Sequence, residues 1–383
     1  MEQNRDLIAE EIREESVSYT DDSLFNITSF GIDLSFREII YMYQEGELEK
    51  PELQRKYVWT KNEASRFIDS ILLGLPVPSI FLAKTQDEKR LIIDGYQRIM
   101  TVYDYVTGIF TGDGKVFKLS NTTNINERWR GKAFNELSSD EQRKIRNSSI
   151  HAIVFEQKHP QNDTGMFQIF ERINTSGRVL KPQEIRNCVY HGKFNTLLFK
   201  LNKIKVWRDI LGTEKEDSRM ADIELILRFF AINEFKKYDH NTIKQINLTK
   251  YLNEYMRDFN EIDDELSNTL EEKFKKVLEY IFLVLGKNSF RTFKLKDDKV
   301  IFTKRINPVV FDAVSTATNF VIEKNIELPD ESTFRERYIE LLMNSDFIEC
   351  TTNRTTNTDN IKGRINLATE ILFGVSYEWE IYK

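Results

Sequence analysis

Asp94, Gly95, Gln97 and Arg98 stand where an apolar run, RLIID, meets GYQRIMTVYDYV. A short apolar run reads as a buried strand, glycine as a turn, and the following spacing as a helix that starts two or three residues on. A strand–turn–helix junction offers backbone N–H groups without intrahelical acceptors, at the positive end of the helix dipole. That end suits an anion, phosphate above all. Gly95 lets the backbone approach closely because no Cβ stands in the way. Arg98 can add a forked donor to phosphate oxygens. Asp94 can hold a divalent metal or polarise a water beside the phosphates. D-G-x-x-R alone is a weak signal, since a capping Asp, a turn Gly and a surface Arg produce it without a ligand. The functional reading therefore carries a condition. The amides after residue 94 must be open to solvent, and not packed over by side chains with Arg98 held in an internal ion pair.

The elements around this junction follow from pattern. Ser35 is a candidate N-cap for SFREIIYMYQ, and NEASRFIDSILLGL reads as an amphipathic helix ended by Gly74 and Pro76. SIFLAK, RLIID and IHAIVF read as strands. Residues 111–150 look like an insertion with a Gly-Asp-Gly turn and one helix capped by Ser138 or Ser139, and 182–201 reads as one helix with Pro182 in its first turn. From about residue 218 the pattern is almost wholly helical, interrupted by a hairpin within 290–302. The expected organisation is an acidic arm (1–34, a short helix and a loose linker), a mixed domain (35–217) and a mostly helical domain (218–383).

Composition excludes several classes. With 383 residues, 40% hydrophobic and 12% aromatic, the chain is too apolar for disorder and long enough for two domains. The absence of a long apolar run and of a signal peptide points to no membrane partner and a cytoplasmic location. The two cysteines, Cys188 and Cys350, form no disulfide or CxxC framework, and no histidine follows His240, which excludes a C-terminal HNH or histidine-ligated zinc nuclease. The net charge of −6 is concentrated at the start. Residues 1–50 hold thirteen acids against four bases, and the remainder is weakly basic. Such an arm is a solvated tail or a nucleic-acid mimic covering a basic groove; the basic body permits nucleic-acid contact without arguing for it.

LQRKYVW (53–59) with SILLGLPVPSIFL (70–82), then DGYQR (94–98), then FERINTSGRVLKPQEIRN (170–187) together resemble the N-terminal domain of GmrSD-type restriction endonucleases, over roughly residues 35–235. The usual second motif is DGQQR, so Tyr96 departs from the pattern while Asp94, Gly95, Gln97 and Arg98 keep it. The resemblance implies an α+β fold of the ParB/sulfiredoxin type, a small mixed sheet with helices followed by a mostly helical C-terminal domain. It also implies a nucleoside triphosphate with Mg²⁺, a GxxR element at this junction, and nucleotide hydrolysis that licenses cleavage of modified phage DNA, here by a partner nuclease chain. Carried over by position, Asp94, Gln97 and Arg98 are the catalytic candidates, with Asp94 the metal ligand. Gly95 and Tyr96 join Gln97 and Arg98 as nucleotide-binding candidates. Arg55 either reaches the same phosphates or packs in a salt bridge. Arg172, Asn174 and Glu184 either line the pocket or, for Asn174 and Glu184, cap a helix broken near Gly177.

Two further patterns were weighed. Asp140 with Glu156-Gln157-Lys158 echoes a D…ExK nuclease, a triplet common by chance. KNSFRTFKLKDDKVIFTKR (287–305) interleaves bases with aromatics, so Arg291, Lys294, Lys296, Lys304 and Arg305 are DNA-binding candidates; a two-stranded ribbon with a solvated face is the plainer reading. Three function classes remain open: a nucleotide-hydrolysing component of a restriction or phage-defence system, a nucleotide-gated DNA-binding module that does not turn over, and a DNA nuclease in the mixed domain. A homo-oligomer is compatible with each.

Overall fold

The computed structural model describes residues 8–9, 27–49, 59–84, 88–157, 181–190, 192–217, 219–237, 244–297 and 299–379. Arg55, Arg172, Asn174 and Gly177 lie outside the described residues. The chain divides into two packed units, residues 21–180 with 187–189, and residues 1–20 with 181–186 and 190–383.

In the first unit hydroxyl residues set where helices begin. Ser35 opens α1 (Phe36–Gln44), Thr60 opens α2 (Lys61–Leu73) and Ser138 opens α4 (Ser139–Asn147). Each cap oxygen accepts a backbone N–H three residues on, where a glutamate (Glu38, Glu63, Glu141) returns a bond to the cap's own N–H. Gly74 ends α2 in the left-handed region at φ 79°. Five strands form one mixed sheet in the order β1-β7-β3-β4-β2. They are β1 (Ile27–Ser35), β2 (Leu48–Glu49), β3 (Ile80–Lys84), β4 (Arg90–Asp94) and β7 (Ser149–Gln157). β7 runs antiparallel to β1 in unbroken register from Ile27↔Gln157 to Ser35↔Ser149, and parallel to β3. β3 and β4 are antiparallel, and β2 is parallel to β4. The hairpin β5 (Ile109–Phe110) and β6 (Lys115–Val116) turns at Gly112-Asp113-Gly114.

Ile80, Leu82, Ile92, Ala152 and Val154 from the sheet pack with Phe36, Ile39, Ile68, Ile71, Ile99 and Val102 in one buried cluster. Burying a large apolar side chain is worth about 1.5–3 kcal/mol, so this cluster holds the sheet end in place. The loose linker expected before residue 30 is corrected at its end. Thr28, Phe30, Ile32 and Leu34 alternate with Ser29, Gly31, Asp33 and Ser35, and this period-two pattern forms β1.

The second unit is helical apart from one ribbon. Its helices are α5 (Pro182–Val189, whose last three residues group with the first unit), α6 (Lys193–Asn202), α7 (Lys205–Leu211), α8 (Ala221–Asn233), α9 (Leu248–Asp258), α10 (Asp264–Leu285), α11 (Pro308–Glu323), α12 (Glu331–Met343), α13 (Ser345–Thr352) and α14 (Thr358–Phe373). The ribbon is β8 (Phe293–Lys296) paired antiparallel with β9 (Lys299–Phe302). The expected single helix 182–201 is two helices, α5 and α6. The break holds Gly192, where a Cβ would lie 1.9 Å from the Asn260 carbonyl oxygen, so the close approach requires glycine. Helix α13 was not expected, because its Thr-rich end reads as loop; Asn344 supplies the cap by accepting from the Asp346 and Phe347 N–H groups.

The core of this unit contains Phe194, Trp207, Phe229, Phe230, Phe274 and Phe311. It also holds a buried ion triad. Arg228 Nε donates to Asp312 Oδ1 at 3.0 Å, and Arg364 Nη2 lies 3.5 Å from Asp312 Oδ2. Among the described residues no helix is long and apolar enough to cross a membrane. The mixed α+β class with a helical C-terminal region is as expected.

Candidate functional site

Strand β4 delivers Asp94 to the sheet end, opposite Phe81 of β3. The β3–β4 register shifts between Phe81 and Leu82, a bulge that bends the strand beside the site. Gly95 then turns at φ 100°, and α3 (Tyr96–Thr107) starts at once rather than two or three residues later. No side chain caps this helix start, unlike α1, α2 and α4. Its positive end is therefore not neutralised by a cap, and no acidic residue stands in its first turn.

The junction is not the open cradle that the nucleotide reading requires: Gly95 and Tyr96 are buried, and two packing features close it. A Cβ on Gly95 would lie 2.3 Å from Ile80 Cγ2, so Ile80 fills that side of the turn. Arg98 Nη2 donates to Asp94 Oδ2 in an ion pair one helical turn apart. The Asp94 side chain nevertheless keeps 39% exposure, and Arg98 14%. The pair is thus partly buried, with Asp94 the more open partner.

Gln97 is oriented by the end of the first motif. The Trp59 backbone N–H donates to Gln97 Oε1 at 3.2 Å, and the Trp59 ring packs edge-on to Phe67 of α2, 5.7 Å between centroids. Two of the three sequence motifs thus meet here. Trp59 was not among the candidate residues, although it closes LQRKYVW, and its contribution is a backbone contact that spacing does not reveal.

Tyr96 is corrected as a side-chain contact for a nucleotide. Its ring is 3% exposed and belongs to the apolar core, where burial first, then the charges of Tyr43 and Asp104, push its hydroxyl pKa up. A tyrosine at the first helical position serves packing, and only its backbone faces the helix end. Further along α3, Asp104 is buried and accepts from Thr111 N–H (2.7 Å) and Oγ1 (2.8 Å), with its pKa raised by burial and pulled back by those bonds.

Glu184 belongs to the second unit, and its contacts are those of a structural residue. Its carboxylate accepts from the Lys181 N–H at 2.6 Å and pairs with Arg219 Nε at 2.9 Å. Of the two roles left open for it, the helix-capping one is present. Neighbouring Arg186 is 1% exposed and donates to Asn253 Oδ1 (2.8 Å), Gln183 Oε1 (3.0 Å) and Glu224 Oε2 (3.1 Å). Of the D…ExK echo, Lys158 lies outside the described residues, and the carboxylates of the other two members are held in ion pairs. Asp140 pairs with Arg143, and Glu156 with Lys84. No group of three or more His, Cys, Asp or Glu gathers among the described residues as a metal cage.

In the basic segment, Arg291 is corrected as a DNA contact. It is 6% exposed and donates to the backbone carbonyls of Ser289 (3.1 Å), Ile210 (2.9 Å) and Lys304 (3.3 Å). Lys294, Lys296 and Lys304 are exposed, and Arg305 is half-buried and partnered.

Comparison with curated proteins gave no match, and comparison with solved structures gave none. Comparison with protein families gave one over residues 36–191, the model described as "GmrSD restriction endonuclease, N-terminal domain". The match contains Trp59 and the whole Asp94–Arg98 junction, and it ends where the second unit takes over the chain. Residues 36–191, less than half of the chain, thus match the N-terminal domain of GmrSD restriction endonucleases, and the mixed sheet that carries DGYQR falls within that match except for β1.

Proposed function

We propose that the Asp94–Arg98 junction binds a nucleoside triphosphate and that the chain acts as the nucleotide-responsive component of a DNA-restricting phage-defence system. The observation that supports this reading is the coincidence of an uncapped helix start with Asp94, Gln97 and Arg98, all partly exposed, at one end of the matched domain's sheet. Arg98 would exchange the Asp94 carboxylate for a phosphate, one anionic partner for another, as Ile80 and the turn open. The Tyr96–Arg98 amides would face the same anion. Gln97, oriented by Trp59, would position the phosphate end or its attacking water.

A magnesium ion fits this site through one residue. Asp94 is a partly exposed carboxylate, and Mg²⁺ is commonly held by one or two carboxylates plus substrate phosphates. When bound there, it would supply charge neutralisation across the phosphates. The residues themselves support binding more directly than turnover, because no side chain among them stands as a separate general base.

Calorimetric titration of the full chain with a panel of nucleoside triphosphates, with and without Mg²⁺, tests the binding. Phosphate release from the same mixtures separates hydrolysis from gating. Failure of every triphosphate to bind would discard the site. Phosphate release that survives both Asp94→Ala and Arg98→Ala would place hydrolysis elsewhere.

A further inference from the structure

The ribbon β8–β9 divides its residues by face. Its register pairs Phe293 with Phe302, Lys294 with Ile301, Leu295 with Val300 and Lys296 with Lys299. Phe293 and Phe302 meet edge-on at 5.9 Å, and Phe302 stacks on Tyr338, which is fully buried. The face of Phe293 and Phe302 is anchored to the helical unit at that end, while Leu295 (61%) and Val300 (38%) further along it are exposed. The opposite face carries Lys294, Lys296 and Lys299, all exposed, around Ile301, which is 50% exposed.

The arrangement has a cost. Lys296 and Lys299 stand directly opposite, and like charges in cross-strand register destabilise a hairpin. A ribbon needing only solubility would place opposite signs there. Asp297, which follows Lys296, takes φ 50° in the turn. Lys287 and Lys304 extend the exposed basic character beyond the two strands.

We propose that this lysine face is a contact surface for the phosphate backbone of duplex nucleic acid. Lys294 and Lys296 lie two residues apart on one strand, about 6.8 Å, which matches about two 3.4 Å steps of a duplex strand. A two-stranded ribbon is also of a width that a major groove admits. Bound phosphates would relieve the Lys296–Lys299 repulsion, and Ile301 would add an apolar contact at the centre of the face. Arg291 plays no direct part; it braces the ribbon's base through three carbonyls. The surface lies outside residues 36–191 and does not depend on the nucleotide reading.

The test compares the full chain with its Lys294→Gln/Lys296→Gln/Lys299→Gln variant, all at exposed positions. Fluorescence anisotropy with a labelled 25-base-pair DNA duplex is followed across salt. Each phosphate contact contributes about 0.9 to the slope of log K against log salt, so the triple change lowers the slope by about 2.7. Circular dichroism stays as in the unchanged protein, and the melting temperature is kept or slightly raised by loss of the Lys296–Lys299 repulsion. Nucleotide titration also stays unchanged, which separates failure here from failure at Asp94. An unaltered slope, or no duplex binding by the unchanged protein at low salt, overturns the proposal. So does an equal loss of binding to a labelled polyglutamate peptide, which would make the face a general anion patch.

Discussion

Replacing Asp94 with asparagine separates the two jobs assigned to its carboxylate. In the structure it holds Arg98, and in the proposed complex it holds a metal ion beside phosphate. Unit charges 4 Å apart at an effective dielectric near 20 attract by about 4 kcal/mol. The exposures of 39% and 14% bring in solvent, and measured pairs open to solvent are worth about 0.2–1 kcal/mol. Asp94→Asn therefore lowers folding stability by less than about 1 kcal/mol. A triphosphate that must first open the pair loses the same amount, up to about fivefold in affinity. The variant should bind metal-free nucleotide as well as or up to about fivefold better than the unchanged protein, and should lose the gain that Mg²⁺ confers. Arg98→Ala, which removes a charge-assisted bond of about 1.5–3 kcal/mol, should weaken binding by roughly ten- to a hundredfold with or without metal. Calorimetry in EDTA and in Mg²⁺ reads all four combinations. If Asp94→Asn keeps the full magnesium effect, Asp94 is not the metal ligand and the reasoning fails.

Other outcomes follow from the packing. Gly95→Ala combines a φ of 100° with a contact of 2.3 Å to Ile80, and should lower stability by about 2–4 kcal/mol in thermal unfolding. Ile80→Ala alone costs about 2–5 kcal/mol as a core cavity, and a double-mutant cycle should show the two changes costing less together than their sum, by the steric part. Asp312→Ala leaves Arg228 and Arg364 buried without their anion and should cost about 3–5 kcal/mol by denaturant titration, or prevent folding of the helical unit. Glu271 is held below its ordinary value of 4.5 by hydrogen bonds from Lys200, then Lys275. A depressed carboxylate pKa stabilises above the unfolded value and loses that contribution as pH falls through the folded one. Unfolding midpoints of the unchanged protein should therefore fall faster below pH 4.5 than those of Glu271→Gln, and parallel curves would refute the pairing.

Local rules made much of this fold legible. Ser35, Ser138 and Pro182 marked helix starts, Gly74 a helix end, and apolar runs gave β3, β4 and β7, whereas the Thr60 cap was not read. β1 escaped because Gly31 interrupts a weak alternation whose partner, β7, lies far along the chain. The break between α5 and α6 depends on the approach of Asn260, another long-range event. The residues of the candidate site were legible as types, and their states were not. The Ile80 contact, the Asp94–Arg98 pair and the inward turn of Tyr96 arise from packing between elements, to which motif spacing is blind. Arg291 shows the same gap, since a basic residue in a basic run is spent on internal carbonyls.

The nine-residue ladder between β1 and β7 bears on how this domain is made and cut. Its two strands are separated by more than a hundred residues, so at roughly 5–20 residues per second a ribosome leaves the first waiting several seconds for the second. A fragment trimmed to begin at residue 36, where the family match starts, would strip β7 of its outer neighbour. A row of unpaired amides and carbonyls would then run along the rim, a template for strand addition between copies. Expression boundaries for this domain belong before residue 27.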